Sequence, residues 1–174
     1  MRYAIAAIGA IVLSFVVHEF AHWLAGTLLG YEMRMTLNAV TPIAGKYQST
    51  ADAMLVSAAG PLITIAQAAV AAWCIAKTGN RHLYPLLFGA AFMRIMAFAV
   101  SFFRRNDEAR ISEWLGIGWA TLPAIVCVGL VYLTWRVARA QKYSPAFNLL
   151  NAVYASVAVT GLVFADQWWK IRIL

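Results

Sequence analysis

Long apolar runs alternate with short polar interruptions along the chain. Five runs come close to the ~20 residues that a helix needs to cross a bilayer. They extend from Tyr3 to Leu29, Ala53 to Ala76, Leu83 to Phe103, Trp114 to Val137 and Phe147 to Ala165. Tryptophans stand near several of their ends: Trp73 late in the second, Trp114 and Trp135 around the fourth, Trp168 and Trp169 after the fifth. That is where amphipathic rings settle at a membrane–water boundary. The first run follows Arg2 and resembles a signal peptide in outline, but it outlasts the usual h-region of about 7–15 residues. It is read as a retained span. The pattern predicts an all-α polytopic membrane protein of about five transmembrane helices in one domain over residues 1–174.

The interruption after the first run has a different rhythm. Tyr31, Met33, Met35 and Leu37 alternate with Glu32, Arg34, Thr36 and Asn38, which is strand periodicity. Pro42 and Gly45 offer a turn, and Lys46 to Thr50 a return strand. A small β-hairpin is therefore expected between helices 1 and 2.

Composition sharpens the class. Apolar residues make up 63% and charged residues 12% of the 174, against about 45–50% and 25% in soluble domains. The net charge of +7 is spread over the segments flanking the spans rather than gathered in a stripe. This favours lipid headgroups over nucleic acid as the partner. The basic residues divide almost evenly between the two membrane sides, so they set no orientation. Cys74 and Cys127 lie inside apolar runs with no CxxC spacing and are expected as small buried hydrophobes.

Against this background His18, Glu19 and His22 stand out in the first run. A charge at mid-bilayer is penalised by about 2.5–3.5 kcal/mol on insertion scales, and such groups are generally functional. The three form an HExxH motif. Residues four apart share one helix face, so both imidazoles can bind one zinc ion with the glutamate beside it as proton acceptor. Zinc also offers what would offset the penalty. His82, in a short loop on the opposite side, is expected as an ordinary interfacial histidine.

A catalytic zinc usually takes three protein ligands. The first span places His22 roughly 12 Å and His18 roughly 18 Å from its carboxy-terminal end. Asp52, Asp107, Asp166, Glu108 and Glu113 all fall near that same side, and spacing alone does not choose among them. Arg94 lies mid-span on the third helix at the level of the histidines. It is either a structural or snorkelling residue or a stabiliser of developing oxyanion charge, with Gln67 a weaker candidate for that task. Gly60 and Pro61 lie near the level of His22, where they serve helix packing or free a carbonyl.

"HEFAHWLAGTLLGY", the strand-like segment and "SAAGPLITIAQA" together resemble the site-2 protease family of intramembrane zinc metalloproteases. The resemblance covers the first three spans, to about Arg110. It implies a catalytic core of about residues 1–110 with additional helices at 114–137 and 147–165. It points to Asp107 as third ligand beside His18 and His22, with Glu108 next. Glu108 stands where the family's aspartate–glycine pair has glycine, and the upstream asparagine and proline are absent.

The resulting expectation is an intramembrane zinc endopeptidase cleaving transmembrane segments of membrane-protein substrates, with Glu19 as base and Arg94 in the oxyanion role. A substrate strand would pair with the Tyr31–Asn38 edge. The alternative is a non-catalytic zinc-binding membrane protein acting as scaffold or regulator. Resemblance to bacterial members implies the cytoplasmic membrane, with the end of the first span towards the cytoplasm.

Overall fold

The structure, a computed structural model, describes residues 1–169 and 172–174. In chain order it has α1 (Arg2–Leu28), β1 (Met33–Met35), β2 (Val40–Pro42), α2 (Thr50–Thr78), a 3₁₀ turn (Arg81–Leu83), α3 (Tyr84–Val100), α4 (Asp107–Trp114), α5 (Thr121–Ala140) and α6 (Pro145–Trp169). Among the described residues, five helices are long and apolar enough to cross a membrane: α1, α2, α3 with its preceding turn, α5 and α6. Large apolar side chains such as Leu13, Val70, Trp73, Val128, Leu149 and Phe164 face outwards. An integral membrane protein accounts for that exposure.

Lipid removes the hydrophobic drive between helices, so close packing and polar pins must hold the bundle. Its largest core is correspondingly rich in small residues: Ala68, Ala71 and Ala72 of α2 meet Ala90 and Ala91 of α3 and Ala138 of α5. Gln67 joins three helices, donating to Ser14 Oγ of α1 at 2.7 Å and to the Leu86 carbonyl of α3 at 3.2 Å. That occupies its amide and removes it from the oxyanion role. Near the opposite membrane face, Tyr3 donates to the fully buried Asn151 of α6 at 2.9 Å. The His82 ring lies 5.5 Å from the Tyr3 ring there, tilted by 52°.

The hairpin is tighter than its periodicity suggests. The return strand is Val40–Pro42, not Lys46–Thr50, in the register Met33↔Pro42, Arg34↔Thr41 and Met35↔Val40. Leu37 and Asn38 form the turn, closed by Thr36 N–H donating to the Ala39 carbonyl at 2.9 Å. Asp166 of α6 fixes it from outside, accepting from Leu37 N–H at 3.0 Å and the Thr36 hydroxyl at 3.1 Å. No local pattern announces a carboxylate arriving from the fifth span.

Strand β1 runs back along α1 into the bundle. Met33 lies against Gly26, where a Cβ would meet its Sδ at 2.5 Å, and Leu37 reaches the Phe15–Met93–Leu162 cluster. Met35, between them, is 1% exposed.

The third and fourth spans are shorter than their apolar runs. Helix α3 stops at Val100 rather than Phe103, and α5 starts at Thr121 rather than Trp114. Gly116 and Gly118 adopt φ of 71° and 84°, which separates α5 from α4. Between α3 and α4 the chain doubles back. Asn106 Nδ2 donates to the Ala97 carbonyl, one turn inside α3, at 3.0 Å. Arg105 braces the turn by donating to Glu113 at 2.8 Å while its guanidinium lies 4.4 Å over the Trp119 ring. The start of α4 is thereby drawn below the end of α3.

Candidate metal centre

Two helices prepare the histidines. His18 and His22 project one turn apart from α1 and are 4% and 7% exposed. His22 Nδ1 donates to the Val56 carbonyl of α2 at 2.6 Å. The Thr64 hydroxyl gives its proton to the Gly60 carbonyl at 2.9 Å, so its oxygen accepts from His18 Nδ1 at 3.0 Å. Both Nδ1 atoms thus carry the proton, leaving both Nε2 lone pairs turned inwards. Such outer-shell bonds fix tautomer and ring orientation in metal sites.

Gly60 explains how α2 comes close enough. A Cβ there would lie 2.3 Å from His22 Nε2 and 2.4 Å from His18 Cε1. The rings press against bare backbone, so any side chain would displace them. Gly60→Ala is expected to lower metal affinity at least as far as loss of an outer-shell partner does, about 10–100-fold. Isothermal titration of the purified variant with zinc checks this; unchanged affinity would show that the rings relax without loss. Pro61 follows without breaking α2 and removes the amide that would bond the Ser57 carbonyl.

The third member comes from the doubled-back chain. Asp107, the first residue of α4, places Oδ2 3.4 Å from His18 Nε2 and 3.3 Å from His22 Nε2, and the two Nε2 atoms are 3.2 Å apart. Three donors around a tetrahedral ion at about 2.0–2.1 Å would stand ~3.3–3.4 Å from one another. The triangle therefore fits a zinc-sized ion without rearrangement. Among the described residues this is the one His/Cys/Asp/Glu grouping able to chelate a divalent metal. Arg110 secures the other Asp107 oxygen, Oδ1, at 2.7 Å.

The remaining acidic candidates are engaged elsewhere. Asp52 accepts from the Tyr31 hydroxyl at 2.6 Å, Asp166 holds the hairpin turn, and Glu113 pairs with Arg105. Glu108 is buried in an ion pair with Arg94 at 3.0 Å. Arg94 does not snorkel: it is 5% exposed, its Nη2 lies 3.4 Å from His18 Nε2, and its Nε has no partner among the described residues. The sequence offered Arg94 and Glu108 separately, and only the fold shows them to be a pair. Glu19 is 7% exposed and makes no side-chain hydrogen bond among the described residues. Cys127 is buried and Cys74 half-buried; neither forms a disulfide.

Fold and site together define an integral membrane protein whose first helix carries two of the three residues of a His–His–Asp metal-binding cluster of zinc-metalloprotease type. No family model, curated protein or solved structure matches the chain. Its chemistry is therefore read from the site itself.

Proposed function

We propose that the protein is an intramembrane zinc endopeptidase of site-2 protease type. The observation that carries this reading is the tetrahedral-sized triangle of His18, His22 and Asp107 with Glu19 adjoining it in sequence on α1. His18, His22 and Asp107 would hold the ion. Zinc bound there would act as a Lewis acid, polarising the scissile carbonyl and making water acidic enough to attack near neutral pH. Glu19 takes the proton of the attacking water and returns it to the leaving amine. A carboxylate free of hydrogen-bond partners suits both transfers. Arg94, whose Nη2 lies 3.4 Å from His18 Nε2, steadies the developing oxyanion. Its ion pair with Glu108 keeps a second full positive charge from opposing the metal.

A substrate helix must unwind before its backbone can be attacked. The hairpin, lying along α1 at the depth of the motif, offers a strand edge to hold the unwound segment extended. Residues 1–110 form the catalytic core of one domain, and α5 and α6 support it. The resemblance to bacterial members of that family supports a cytoplasmic membrane as its location, with the carboxy-terminal end of α1 towards the cytoplasm.

The deciding experiment combines metal analysis with cleavage of a panel of single-span membrane peptides in micelles. About one zinc per chain, activity lost on chelation, and activity restored by added zinc are expected. Stoichiometric zinc with no cleavage across the panel would leave a metal-binding membrane protein and no peptidase.

A further inference from the structure

The hairpin is not an open sheet. On β1, Arg34 pairs with Thr41, and Thr36 N–H and the Glu32 carbonyl also face β2. Strand alternation turns the N–H and carbonyl of Met33 and Met35 to the other edge. Met35 there meets this chain's own residues 172–174. Its N–H donates to the Leu174 carbonyl at 2.9 Å, and its carbonyl accepts from Ile173 N–H at 2.9 Å. Thr36 and Arg172 face each other as antiparallel partners. The outer edge of β2 is a poor alternative, because Pro42 has no N–H to offer a further strand.

We infer that residues Arg172–Leu174 act as a built-in competitor for substrate, filling the edge that an unwound substrate strand must occupy. The inference rests on the peptidase reading above. It deepens that reading by naming the edge, its present occupant and the exchange that substrate binding requires. The seated segment shows what the edge accepts: extended backbone with apolar side chains. Both sets of main-chain bonds cannot exist at once on Met35, so substrate and segment exclude each other. The segment follows α6 closely, and α6 is anchored to the hairpin turn through Asp166. Its effective concentration at the edge is therefore high without strong contacts. Its hold is correspondingly light. Ile173 and Leu174 are each 40% exposed and bury little against the bundle. A substrate strand that bonds Met33 as well as Met35 displaces it.

Two modifications of the full chain test this. Ile173→Pro removes the closer of the two N–H groups that bond the Met35 carbonyl, Leu174 N–H at 3.3 Å being the other, while Ile173→Val keeps both. Thr36→Cys with Arg172→Cys, in a background lacking Cys74 and Cys127, allows the segment to be locked by a disulfide. Cleavage of the single-span peptide panel is measured as KM and kcat with zinc content held equal. Ile173→Pro is expected to lower KM several-fold at unchanged kcat, and Ile173→Val to match the parent. Locking should reduce kcat/KM more than tenfold, with recovery on reduction. A silent parent made active by Ile173→Pro would support the inference most strongly. If the parent cleaves and neither proline nor lock changes KM, the competitor is refuted while the peptidase reading stands. If no form cleaves any peptide, the peptidase reading fails and this inference falls with it.

Discussion

Glu19→Gln should leave metal content unchanged and reduce cleavage of a membrane peptide by roughly 10²–10⁴-fold, the usual contribution of a positioned general base. The substitution is nearly isosteric. It leaves the Nε2 atoms of His18 and His22 and Oδ2 of Asp107 where they are, since no described hydrogen bond ties Glu19 to any of them. What it removes is the ability to take a proton from water and deliver it to the departing amine. The check is zinc per chain by elemental analysis beside initial rates for the same preparation. Full activity in the variant would dismiss Glu19 as the base. Joint loss of zinc and activity would mean that the carboxylate helps to assemble the site instead.

The second large effect separates two neighbours. Asp107→Ala deletes one corner of the triangle, and zinc should fall to trace levels after dialysis against a mild chelator. The loss should exceed the about 10–100-fold typical of outer-shell partners. Glu108 cannot substitute, because Arg94 holds it at 3.0 Å. Glu108→Ala should retain most of the metal, with weaker binding because Arg94, 3.4 Å from His18 Nε2, is left without a counter-charge. An uncompensated buried charge is the expensive outcome of breaking such a pair. The reverse ranking would transfer the third ligand to Glu108.

What could be read in the chain beforehand follows the range of the interactions concerned. The five spans and the His18/His22 pair depend on hydropathy and a four-residue spacing, both local, and both were legible. The end of α3 was not. Ser101, Phe102 and Phe103 extend an apolar run without extending a helix, and what turns the chain is the Asn106 side chain bonding to Ala97. The same turn answers how Asp107 reaches imidazoles that lie well inside α1, a depth that a straight third helix would forbid. Pro42 and Gly45 look like a turn and so suggest a return strand at Lys46–Thr50, whereas Asp166 stabilises the turn at Leu37 and Asn38. Gly60 was visible as a small residue at the right level. Only coordinates show that a methyl group there would strike both rings.

The donors of the triangle belong to the helix that enters the membrane first and to a short segment that does not span it at all. An ion seated among them would serve as a staple, fastening the amino-terminal helix to a loop-borne element across two intervening helices. Cross-links that close long stretches of chain restrict the unfolded ensemble most. Stripping the metal should then loosen α4 before any of the spans. During synthesis, the ion would find its full grip only after the third span had been threaded and the chain had turned back on itself.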